Sequence, residues 1–379
     1  WLMARPARIP FVAPVLTPRA IEAMSRVPPS KALNGESTSF ETEPIKVTKT
    51  TWRSLPAVSL AGNELEVHIS IPGGHIASIQ GEDGRNPLWN PPWEARDPAA
   101  PDVADGGEYG EGPEARLLTG VCGHSLALDR FGSPHPDEDR PLHGEAGVVH
   151  WRFPQLEDSD EATATHIEAF ATLPLAGLEV RRRFSMAGSS LVVGTGVRVI
   201  DGDAERHIEW AEHATMGREF LSDCMINASA DIAVTFPKGP LDPLSRFADL
   251  GLEAMITPME ALALPVRKAG DVTTLRVTGG PEKVAWWTAT NPTWGRRLTY
   301  RWEPSQFPWL CCWTEWESRD TAPWNGRTIA RGMEMSTKPF PEGKPPRSRF
   351  PTYYGRPTDC VVGRDWKEHC LEITWAPCV

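Results

Sequence analysis

The stretch Leu65-Glu66-Val67-His68-Ile69-Ser70-Ile71 alternates apolar and polar side chains. A period of two puts the apolar groups on one face of a strand and the polar groups on the other. Pro72-Gly73-Gly74 then supplies turn chemistry, and His75-Ile76-Ala77-Ser78-Ile79 resumes as a second strand. Further strands are predicted over 164–172, 178–185, 191–200, 232–236, 273–278, 284–290, 310–316 and 371–375. Helical periodicity is nearly absent outside short pieces such as 244–250. Many short strands divided by Gly, Pro and Asp turns predict an all-β sandwich or barrel.

A chain of 379 residues can bury a sizeable core as one large β domain or two ordinary ones. Residues 1–50 are rich in Pro, Ser, Thr and Lys, with one short helix predicted around 18–24, and read as an N-terminal extension. No internal repeat and no clean linker follows, so 51–379 is expected to be a single domain. Within it, 88–116 is a long acidic, Gly/Pro-rich loop, a type of segment that is functional or disordered.

The net charge of −11 argues against nucleic acid or an anionic membrane as the main partner, since both require a basic surface. No run of about 18 apolar residues exists, so no transmembrane helix is predicted. The seven cysteines form no zinc spacing or Cys-x-x-Cys pair, and Cys311-Cys312 are adjacent. That pattern predicts free thiols in a reducing compartment. A cytoplasmic location is therefore expected, although the chain opens on Trp1 and a removed signal peptide stays open. Sixteen tryptophans against four tyrosines suit a carbohydrate ligand, because indole stacks on the C–H faces of sugars; most single tryptophans nevertheless read as core.

Three separated segments carry acid–base side chains: Pro141-Leu142-His143-Gly144, Glu209-Trp210-Ala211-Glu212-His213 and Gly332-Met333-Glu334-Met335. Two imidazoles and a carboxylate can move protons on a neutral, oxygen-rich substrate near pH 7. The bland alternative is a structural role for each histidine and a solvent-facing Glu334 in an alternating strand. Neither His143 with Glu145 nor Glu212 with His213 matches a known metal-ligand spacing, so no metal is expected. No Gly-x-Ser-x-Gly elbow and no Gly-rich phosphate loop is present.

Taken in order, these segments resemble the aldose 1-epimerase (galactose mutarotase) family. Gly73-Gly74-His75-Ile76-Ala77-Ser78-Ile79 is similar to its opening Gly-Gly-x-Ile-x-Ser-Leu motif. His143-Gly144-Glu145-Ala146-Gly147, followed by Trp151, is similar to its first catalytic histidine segment, and Glu212-His213-Ala214-Thr215 to its second. Met333-Glu334-Met335-Ser336-Thr337-Lys338-Pro339 fits its late catalytic carboxylate. The resemblance spans roughly 60–345 and implies an antiparallel β-supersandwich of the galactose mutarotase-like type. It implies anomer interconversion of a free sugar without cofactor or metal: Glu334 as base, His213 as acid to the ring oxygen, and His143 as a hydrogen-bond partner.

One departure concerns substrate contacts. The family's Gly-Arg-x-x-Asn-Arg run, whose Arg holds sugar hydroxyls, corresponds here to a stretch containing His124, Asp129 and Arg130. An Asp-Arg pair with an extra His is expected to take over that role. Trp313 and Glu315 are further candidates for the wall of the site. The expected partner is a small carbohydrate, acting on a monomer or homodimer. Two other readings compete. A glycoside hydrolase or polysaccharide lyase on the same fold would, if a hydrolase, pair Glu334 with Glu212 or Glu315 about 5–9.5 Å apart. A non-catalytic sugar-binding protein would use the histidines for hydrogen bonding alone.

Overall fold

The computed structural model describes residues 42–378 apart from 102, 104–106, 135–137, 237–243, 252, 280–283, 342–350 and 359. Among these residues, antiparallel strands form one sheet of 13 strands and a second of 7. The helix predicted around 18–24 lies outside the described residues.

Alternation is clean where a strand has one buried face. Leu178–Ala187 buries Leu178, Val180, Arg182, Phe184 and Met186 on one side and shows the rest, in part, to solvent. The smaller sheet runs Met225–Ala228, Ala285–Asn291, Arg296–Trp302, Lys367–Pro377, Ser190–Val199, Leu178–Ala187 and Ile167–Leu173. Its inner face packs Trp287, Tyr300, Trp302 and Trp375 into the main apolar core.

The centre of the larger sheet consists of four neighbouring strands: Trp309–Trp316, Ile329–Ser336, Arg206–Gly217 and His124–Asp129. These are buried on both faces. One face contributes Leu126, Leu128, Trp210, Ala214, Leu310, Cys312, Met333 and Met335 to the core. The opposite face carries Ser125, His213, Glu334 and Cys311, which fall in one row because each is the register partner of the next. A sheet covered on both sides loses the simple apolar/polar alternation that marks a strand in sequence. That is why His124–Asp129 and Arg206–Gly217 are harder to delimit from sequence than 65–71.

The sheet already includes Ile45–Trp52, paired with Leu55–Ala61 and Glu161–Ala164. Most of this strand lies inside the stretch 1–50 expected as an extension, and it runs on to Trp52. Its buried face is short, with Ile45 and Val47 followed by threonines, so a polar, partly exposed strand reads as linker. The predicted helical piece at 244–250 contains only a single 3₁₀ turn, Ala248–Leu250. No described helix is long and apolar enough to cross a membrane.

Candidate active site

A cavity of about 480 Å³ opens on the site face of the central strands, within the ~300–1,000 Å³ range of small-molecule sites. Glu334, His213 and His143 all line it. His213 and Glu334 are register partners on adjacent strands, and His213 Nε2 lies 3.1 Å from Glu334 Oε1. The Glu334 side chain is only 2% exposed, and that of His213 12%. Glu334 therefore faces neither solvent nor the apolar core, but the cavity floor.

Room for this pair comes from Gly332, two residues before Glu334 on the same face. A Cβ there would sit 2.8 Å from Glu334 Oε1 and 3.0 Å from His213 Cε1. His143 arrives from a loop. Its φ of 62° is in the left-handed region, and Gly144 follows at 77°, where a Cβ would lie 2.1 Å from the Leu128 carbonyl oxygen. The His-Gly pair thus lets the loop press against the strand His124–Asp129 and turn the imidazole toward His213, with ring centroids 5.6 Å apart.

Burial sets the protonation states. It pushes Glu334 up to about 8, against the thiol of Cys311, which hydrogen-bonds the carboxyl and favours its ionised form. It pushes His143 down to about 4 and His213 well below its ordinary value, with the neighbouring His143 adding to the effect on His213. The His143 Nδ1 accepts the Gly132 backbone N–H at 3.1 Å. A neutral His143 therefore carries its proton on Nε2 and can donate it to a ligand. The His213 Nδ1 is held by the Thr215 hydroxyl at 3.1 Å.

The other sequence candidates divide. Trp313 lines the cavity, with its ring 6.2 Å from that of His213. Glu315 is buried beside it but is used within its own turn, accepting the Ser318 N–H, the Ser318 hydroxyl and the Arg319 N–H. His124 points to the opposite face. There its Nε2 meets Glu212 at 2.8 Å and its Nδ1 meets the Tyr300 hydroxyl at 3.3 Å. Glu212 is locked in the same core network by Arg182 at 2.8 Å and Thr195 at 2.8 Å. Burial alone would raise the Glu212 carboxyl, but Arg182 and His124 outweigh it and hold it at about 2. Asp129 is paired with Arg140 at 3.3 Å, and Arg130 with Glu138 at 2.6 Å. Neither belongs to the described cavity wall.

Several wall residues escape sequence reasoning. Ser125 and Thr215 occupy the row of strands, Trp89 and Glu114 come from the 88–116 segment, and Arg319 and Trp324 come from the loop after Glu315. The length and composition of 88–116 were the available signal for the first loop. For Arg319 the only local signal is its position four residues after Glu315, with which it forms an ion pair at 3.3 Å. Among the described residues, no group of three or more His, Cys, Asp or Glu side chains is arranged to hold a metal.

A scan against protein-family models finds no match, and a search of curated proteins finds none either. Solved structures do match. A candidate aldose 1-epimerase from Klebsiella pneumoniae subsp. pneumoniae superposes with a TM-score of 0.57 at 13% identity, covering 87% of this chain and 83% of that one. The chain has the galactose mutarotase-like fold. A galactose mutarotase related enzyme from Lactobacillus acidophilus gives a TM-score of 0.54 at 12% identity, over 85% and 98% of the two chains. A candidate mutarotase (YeaD) from Salmonella typhimurium gives 0.53 at 12%, over 87% and 94%. The resemblance seen in the motifs is thus borne out as a shared mutarotase fold, and the identities of 12–13% carry it no further.

Proposed function

We propose that this chain is an aldose 1-epimerase-like isomerase that interconverts the α and β anomers of a free sugar. The observation that carries the reading is the buried His213–Glu334 contact on the cavity floor, with the His143 ring beside it. Ring opening removes the proton from the anomeric O1 and places one on the ring oxygen. Both oxygens are bonded to the same carbon, so a base and an acid lying side by side can serve them together.

Glu334 as carboxylate takes the O1 proton, and His213 as imidazolium gives its proton to the ring oxygen. His143 donates from Nε2 to the oxygen on which charge develops. The pair holds one proton, which burial favours on Glu334 over His213. Transfer across the 3.1 Å contact produces the competent form. After rotation about C1–C2 the same two transfers run in reverse on the other face, leaving the pair as it began. Acid–base catalysis of this type contributes about 10²–10⁴-fold.

The hydrolase reading loses support, since Glu212 faces the core and Glu315 is bound within its own turn. The test is polarimetry on freshly dissolved α-D-glucose and α-D-galactose, comparing the wild type with Glu334→Gln. Acceleration by the wild type and its loss in the variant is the expected result. No acceleration with either sugar would overturn hexose mutarotation.

A further inference from the structure

On the sugar-substrate reading above, the cavity still lacks the cationic side chain that would fix hydroxyl groups. Arg130 and Asp129 are held by Glu138 and Arg140, and neither reaches the wall. Among the described residues, Arg319 is the cation that does. We propose that Arg319 is the substrate-holding residue of this site, and that the sugar it holds is uncharged.

The placement of Arg319 is built rather than incidental. Its guanidinium carbon lies 4.7 Å over the Trp324 ring and 5.9 Å from that of Trp313. Two carboxylates approach the guanidinium edge: Glu315 at 3.3 Å from Nε, and Glu114 at 3.5 Å from Nη1. Glu315 also accepts the backbone N–H of Ser318 and Arg319, so one buried carboxylate fixes both the turn and the side chain it presents. None of the guanidinium N–H groups is closed into a hydrogen bond with a described residue. Stacked and flanked in this way, the planar fork loses little further freedom when it binds a pair of vicinal hydroxyls.

The same carboxylates set the charge class. Arg319 shares its positive charge with Glu114 and Glu315, and the wall offers no other Lys or Arg among the described residues. A phosphate or uronate would meet no uncompensated cation there and would lie close to Glu114. A neutral sugar needs only donors and an indole face, and both are present.

The experiment separates binding from turnover. Binding of D-glucose, D-galactose, D-glucose 6-phosphate and D-galacturonate is followed by calorimetry and by quenching of the tryptophans around the site. The proteins are wild type, Arg319→Met and Arg319→Lys. The expected result is binding of at least one neutral sugar at least 10-fold more tightly than its anionic counterpart. Arg319→Met should weaken that binding at least 10-fold, with partial recovery in Arg319→Lys. Unchanged affinity in Arg319→Met overturns the role, tighter binding of the anionic sugars overturns the charge class, and absence of binding by any of the four overturns both. Neutral-sugar binding that depends on Arg319 but occurs without mutarotation would leave this proposal standing and remove the isomerase reading instead. If mutarotation is present, Arg319→Met should raise KM at least 10-fold with kcat within about 3-fold, the pattern of lost uniform binding.

Discussion

His213 and Glu334 face one another as a register pair across two antiparallel strands, and their side chains meet at 3.1 Å on the cavity floor. Their coupling makes the pair, rather than either residue, the titrating unit. Opening a hemiacetal moves one proton from O1 to the ring oxygen, so the pair must hold one proton. As pH rises through about 8 that proton is lost from Glu334 and no acid remains. The mutarotation rate should hold level from about pH 6 to 7.5 and fall above about 8. A polarimetric profile that climbs past pH 9 would contradict the shared-proton scheme.

Stability should report the same carboxyl with a definite sign. The ordinary Glu value is 4.5, while the folded value is about 8. Between those values the native state keeps a proton that the unfolded state has released, so this group makes stability fall as pH rises through the window. Glu334→Gln should remove that slope and be more stable than wild type at pH 8.5, by an amount on the order of a few kcal/mol. Thermal melts at pH 5 and 8.5 check it: equal shifts at both values would contradict the raised carboxyl.

Gly332 tests whether the pair tolerates displacement. Alanine would bring a methyl to 2.8 Å from Glu334 Oε1 and 3.0 Å from His213 Cε1, so both side chains must move. A shift approaching 1 Å costs roughly 10²-fold in rate when reacting groups are misplaced. Gly332→Ala should therefore lose about 10–100-fold in kcat/KM while keeping a cooperative melt. Full activity in the alanine variant would show that the pair does not need its present spacing.

On the opposite face, the core network invites a different measurement. Arg182 and Glu212 are fully buried and bonded at 2.8 Å. Removing the cation leaves a carboxylate without its main compensation, a loss of roughly 3–5 kcal/mol. Arg182→Met should show that loss in urea unfolding at pH 7. In the wild type the Glu212 contribution is present above about 4.5 and is lost as pH falls toward about 2. A neutral Arg182→Met result would mean that Glu212 takes up a proton or finds water instead.

The strand-rich architecture is legible in the sequence because stretches such as 65–69 and 178–187 have one buried and one more exposed face and therefore alternate. The sequence also marked His143, His213 and Glu334, since glycine and acid–base side chains recur in a family-like order at those points. Tertiary structure decided which face each side chain occupies. Glu212 and His213 are chain neighbours, yet one enters the charged core and the other the cavity, because successive strand residues point to opposite sides. His124 and Arg130 read as site residues in one dimension, whereas the register of the central strands turned His124 into the core and the Glu138 ion pair held Arg130 off the wall. Arg319 and Trp324 are the converse case. Nothing periodic marks their loop, and its packing against Trp89 and Trp93, more than 200 residues earlier in the chain, sets it at the site. Local pattern reports solvation along one strand, while a binding site depends on contacts between segments far apart in the chain.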